Sequence, residues 1–133
     1  MPAGRIGPVG AVRGILTFEG SAEDVARARR FVDRALRRHP RRETAVLLTS
    51  EIVTNGVVHG EGPITVVVLE SEAGVRVEVT DAGSGSVPTL RKSGTDAEDG
   101  RGLLLVDRLA SRWDHVRTAA GLTAWFELDA PAH

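Results

Sequence analysis

Residues 42–60 read RETAVLLTSEIVTNGVVHG, and the way this stretch breaks its own pattern decides the fold. Val46, Leu47, Leu48, Ile52, Val53, Val57 and Val58 predict a helix from about Arg42 to His59, stopped by Gly60 and Gly62 with Pro63 beyond. Glu51 and Asn55 sit among these apolar residues, four apart and so one above the other, and His59 continues the row. Burying a carboxylate and an amide on an apolar helix is costly unless they meet partners or line a wet cavity. The alternative is a solvated stripe of polar groups. With nearly every other face apolar, the cavity is the stronger reading.

Moving toward the C-terminus, Ile64–Glu70 and Val75–Asp81 predict two strands joined by the short Ser71–Gly74 turn. In the second, Val75, Val77 and Val79 point one way and Arg76, Glu78 and Thr80 the other. Residues 82–100 are rich in Gly, Ser and Thr and read as a loop, long enough inside one domain to suggest a function. A helix over Leu103–Arg112 follows, then strands over Asp114–Thr118 and Leu122–Leu128. Toward the N-terminus, Val12–Glu19 predicts a strand. A helix then opens with Ser21 as N-cap and Glu23 and Asp24 in its first turn, and ends at His39-Pro40. Strands and helices grouped in this order mean an α+β two-layer sandwich, a mostly antiparallel sheet with helices on one face.

The 133 residues, 41% hydrophobic and 26% charged, suit one soluble domain. Residues 1–11 read as a flexible tail, 12–129 as a single domain and 130–133 as a short tail. The longest apolar runs fall far short of a membrane span and the N-terminus has no secretory pattern, so a cytoplasmic location is expected. Cysteine is absent, which excludes disulfides and thiolate metal sites. The net charge of −1 and the scarcity of aromatic residues argue against direct nucleic-acid binding. Residues 27–42 nevertheless hold eight Arg against one Asp. Arg27, Arg30, Arg34, Arg37 and Arg38 lie opposite the apolar stripe of the first helix, as either a solvated face or a docking surface for an acidic partner.

Two further features are weak alone. Asp81 ends a strand and runs straight into Ala82-Gly83-Ser84-Gly85, which is also how many strands end in a turn. Gly100-Arg101-Gly102 leads into the Leu103 helix, and a glycine-led helix start offers free N–H groups to an anion, or is only a tight junction. Together and in this order, Glu51-Ile52-Val53-Thr54-Asn55-Gly56-Val57-Val58-His59-Gly60, Asp81-Ala82-Gly83-Ser84-Gly85 and Gly100-Arg101-Gly102-Leu103 are far more specific. The chain resembles the ATP-binding domain of the gyrase, heat-shock chaperone, histidine-kinase and mismatch-repair superfamily. Within it the chain looks most like the bacterial anti-sigma factor serine/threonine kinases, over about residues 12–129.

The resemblance implies a histidine-kinase-type ATP-binding fold. It puts Asn55 on a Mg²⁺ that bridges the ATP phosphates and Asp81 on the adenine amino group, a hydrogen bond that guanine could not return. It lets Gly83 and Gly85 pass close to the base and turns the N–H groups at Gly100 and Gly102 to the phosphates. Residues 86–99 become a lid. Arg101 is either a γ-phosphate contact or a solvated lid residue, and His59 is structural. Glu51 corresponds to the general base that acts on an acceptor hydroxyl. Trp113 and Trp125 read as core aromatics. Many superfamily members place a Thr near the base from the last hairpin, and the sequence leaves open whether Leu122 or Thr123 faces the pocket. The implied function is an ATP-dependent protein serine/threonine kinase that binds a sigma factor and phosphorylates an antagonist protein, in a branch where homodimers are common. The alternative is a nucleotide-gated binding module with little catalysis. A sensor histidine kinase is disfavoured, since no helical hairpin carries a phospho-acceptor His.

Overall fold

The computed structural model describes residues 11–60, 62–82, 104–119 and 121–131. The element order is β1 (Ala11–Phe18), α1 (Asp24–Ala35), α2 (Arg42–His59), β2 (Ile64–Ser71), β3 (Gly74–Asp81), β4 (Arg112–Thr118) and β5 (Gly121–Asp129), with residues 104–109 helical as well. The strands form one antiparallel sheet in the order β1-β2-β3-β5-β4. The chain is therefore an α+β two-layer sandwich with its helices on one face of the sheet, as the sequence pattern predicts.

Register sorts the side chains between the two faces. Val66 pairs with Val79, and Val77 pairs with Val68 on one side and Phe126 on the other. These residues share a face, because directly paired positions point the same way. They pack with Val32 and Leu36 from α1's end of the chain and with Leu48, Ile52 and Val53 of α2 in one buried cluster. Fully burying a side chain of this size contributes about 1.5–3 kcal/mol, so the helix-facing side of β2, β3 and β5 dominates stability.

The opposite face is built differently. Thr17 pairs with Thr65 and Thr80 with Thr123, and their hydroxyls are joined at 2.9 and 2.7 Å. Beyond them Arg76 of β3, Glu127 of β5 and Arg112 of β4 lie in one cross-strand row. Trp125 is also on this side, with the Arg76 guanidinium 4.2 Å from its ring centroid. Trp125 is buried, as expected of a core aromatic, on the face away from the helices, while Trp113 packs against the helix-side core.

Local departures from the sequence reading have identifiable causes. The first helix begins at Asp24 behind Glu23, with no side-chain cap, and the Asp24 carboxylate reaches back to accept the amides of Gly20 and Ser21 in the preceding turn at 2.9 Å each. Ser21, the expected cap, instead donates its hydroxyl to Glu23 at 3.2 Å. Burial acts to raise the Asp24 pKa, but those two amides and Arg27 hold it below the ordinary carboxylate value. The same helix stops at Ala35 rather than continuing to Pro40. Arg112, expected to end the last helix, opens β4, because its guanidinium is drawn to Glu127 at 3.0 Å and to Asp129 on the neighbouring strand.

Candidate functional site

Asp81 is the last residue of β3 and pairs with Ile64 and Leu122, so its side chain shares the helix-facing side with Val79 and Val77. There it meets α2. A Cβ built on Gly56 would lie 3.7 Å from Asp81 Oδ2, and one on Gly60 would come within 2.8 Å of both Cγ and Oδ2. Gly56 costs the helix about 1 kcal/mol relative to alanine, and the proximity of the Ile64 side chain and of Asp81 explains its presence. The two glycines thus form a cradle for a carboxylate. At the adjacent hairpin Gly121 has φ +133°, and a Cβ there would overlap the Asp81 carbonyl oxygen.

The row one helical step from the cradle carries Glu51, Asn55 and His59. Glu51 and Asn55 are half-buried and His59 is exposed at the helix end. The row is therefore neither sunk in the core nor fully solvated. Leu47 and Val58, read from the sequence as part of an apolar surround, are 41% and 64% exposed, because α1 and the sheet cover only the side of α2 that holds Ala45, Leu48, Thr49, Ile52 and Val53. Glu51 makes no ion pair and Asn55 no hydrogen bond with any described residue. Glu51 opens on a groove of about 440 Å³ between α1 and α2, which Arg29, Asp33, Leu47 and Ser50 also line.

The structure thus brings Asp81 against the helix that carries Glu51 and Asn55. Gly83, Gly85, Gly100, Arg101, Gly102 and the lid expected over 86–99 lie outside the described residues. Thr123 turns to the opposite face, bonded to Thr80, and the position beside Asp81 is held by Leu122. A hydroxyl from the last hairpin is therefore not supplied at that point by either residue. The cradle made by Gly56 and Gly60 escaped the sequence reading, which took Gly60 as a helix stop. The available signal was Gly56, a poor helix former placed mid-helix beside Asn55.

Among the described residues no group of three His, Asp or Glu is arranged to hold a metal ion. The Asn55 side-chain carbonyl, uncommitted among the described residues and half-buried, is a hard donor of the type Mg²⁺ accepts alongside phosphate oxygens. Among the same residues no helix is long and apolar enough to cross a membrane.

A two-layer sandwich with these residues at one end of the sheet defines a class, and comparison with known families agrees. The model of the histidine kinase-like ATPase domain matches residues 18–127. The chain belongs to that family, and so to the ATP-binding, ATP-dependent domains. No curated protein matches the chain.

Proposed function

We propose that this protein is an ATP-dependent serine/threonine protein kinase of the anti-sigma type, which phosphorylates an antagonist protein and binds a sigma factor. The observation that carries the reading is Glu51, a half-buried carboxylate without an ion-pair partner among the described residues, one helical turn from Asn55 and open to a groove. A hydrolytic or transfer site needs a base with a free lone pair, and a salt-bridged glutamate would not provide it.

Asp81 accepts the adenine amino group, held in place by the Gly56–Gly60 cradle. Asn55 would supply its side-chain carbonyl to a Mg²⁺ ion, which would offset the charge of the phosphates. An acceptor Ser or Thr in the groove loses its proton to Glu51 as its oxygen attacks the γ-phosphorus. The bond to the β–γ bridging oxygen breaks and ADP leaves. Positioning and charge stabilisation supply most of the acceleration in such a transfer.

The deciding experiment uses purified protein, Mg²⁺ and γ-labelled ATP, with and without a candidate antagonist protein as acceptor. Label on a partner Ser or Thr supports the kinase. Tight ATP binding without transfer favours the nucleotide-gated module instead.

Two substitutions test the ligand assignments. Asp81→Asn removes a charge-assisted hydrogen bond and is expected to cost about 1.5–3 kcal/mol of ATP affinity by isothermal titration calorimetry. Unchanged affinity would remove Asp81 from the adenine. Asn55→Ala is expected to abolish the enhancement of ATP binding by Mg²⁺. Titrations with and without EDTA that still differ in this variant would place the metal elsewhere.

A further inference from the structure

The first strand and first helix leave between them a groove that the nucleotide reading does not use. β1 is an edge of the sheet, and among the described residues only β2 pairs with it. An unpaired edge displays backbone N–H and C=O groups ready to take another strand. α1 runs back alongside this edge. Asp24 binds the amides of Gly20 and Ser21 just past the end of the strand, while further along the helix the Phe31 ring covers Gly14, where a Cβ would lie 2.8 Å from it. The space between them is a groove of about 540 Å³, with Leu16 and Phe18 on the strand side and Arg27, Arg30 and Arg34 on the helix side.

The charges in this groove are unevenly committed. Arg27 donates to Asp24 at 2.8 Å, and that carboxylate is already held by two amides. Glu19 is exposed at the strand end. Arg30 and Arg34 have no carboxylate partner among the described residues. They are one turn, about 6 Å, apart along the helix. Alternate side chains on a strand repeat at about 6.6 Å, nearly the same step. On the other face of β1, Val12 and Ile15 are 54% and 61% exposed, an apolar pair with nothing packed on it among the described residues.

We propose that this groove binds an extended acidic segment of a partner protein, which adds to the free edge of β1 as a further strand. Its acidic side chains, two residues apart, face Arg30 and Arg34. Its intervening apolar side chains lie beside Ile15 and Val12 on the opposite face. Backbone pairing supplies affinity and the arginine spacing supplies selection for alternating acidic and apolar residues. A nucleic acid could meet the arginines but could not pair with the strand edge.

The test uses the full chain without nucleotide, so that its outcome is independent of the ATP site. The probe is a fluorescein-labelled decapeptide of alternating Glu and Val. Fluorescence anisotropy is expected to show saturable binding, weakened by salt and by about tenfold or more in Arg30→Glu/Arg34→Glu. Hydrogen exchange is expected to slow at β1 amides when the peptide is bound. Circular dichroism checks that the variant is folded, and Arg37→Glu/Arg38→Glu, outside the groove, is expected to retain binding. No binding at millimolar peptide overturns the proposal, as does binding indifferent to the charge reversal. Equal binding of a helix-stabilised acidic peptide without protection of β1 also overturns it, and would make α1 itself the contact. Equal competition by a single-stranded oligonucleotide overturns it in favour of nucleic acid. Protection of β1 that grows with protein concentration in the absence of peptide overturns it in favour of a second copy of this chain.

Discussion

Replacing Arg76 by alanine is expected to destabilise the fold by about 3–5 kcal/mol, because it removes one of the two guanidinium partners of a wholly buried carboxylate. Arg76 is 3% exposed and donates through Nη1 to Glu127 Oε2 at 2.8 Å, while Glu127 is wholly buried. Its Nε donates to Glu78 at 2.8 Å, and its guanidinium covers Trp125. Glu127 keeps Arg112 at 3.0 Å on its other oxygen. Arg112 is also bonded to Asp129, which raises its pKa above the ordinary arginine value against the opposing effect of burial, with Glu127 adding to the rise. One guanidinium therefore cannot satisfy Glu127 alone. Urea unfolding is the measurement, and the same loss would lower Tm by roughly 10–20 °C. The double variant Arg76→Leu/Glu127→Met removes the charge together with its partner and is expected to recover most of the loss. If the double variant is as unstable as the single, the loss comes from packing on Trp125 and not from an unpaired charge.

This network also shows where the sequence is legible and where it is not. Helix α2 and strand β3 could be read from local pattern, since an apolar helix with two polar intruders and an alternating Val run each carry their own signature. Asp81 at the end of that run and Asn55 on that helix follow from the same reading. What local pattern does not carry is which face a residue joins when its strand pairs with one distant in the chain. Trp125 and Phe126 are adjacent and equally apolar, but only the register with Val77 and Glu78 sends Phe126 to the helices and Trp125 beneath Arg76. The same register decides between Leu122 and Thr123 at the site. Arg112 reads as helical in isolation and becomes a strand residue because two carboxylates await it on β5. Ser21 is a good cap by residue type, yet its hydroxyl goes to Glu23 and the helix starts three residues later without a side-chain cap.

Glu51→Ala is expected to lower phosphoryl transfer to a protein acceptor by about 10²–10⁴-fold, the usual contribution of a positioned general base, while leaving ATP affinity nearly unchanged. The split follows from placement. Glu51 is on the row of α2 one step from the Gly56–Gly60 cradle, so it is not the residue against which Asp81 rests. It faces the groove between α1 and α2, on the side where an acceptor chain has room, with Leu47 exposed beside it as an apolar contact. Glu51→Gln preserves shape and removes the proton-accepting charge, so it is expected to fall as far as the alanine variant. Single-turnover transfer of labelled phosphate, measured beside calorimetric ATP titration, separates the two effects. Loss of affinity together with transfer would make Glu51 part of nucleotide or metal binding. Transfer that persists in both variants would remove it as the base and leave positioning of the acceptor as the main source of rate. Loss of transfer in alanine with recovery in glutamine would point to a steric or hydrogen-bonding role, since an amide can orient a hydroxyl but is far too weak a base to take its proton.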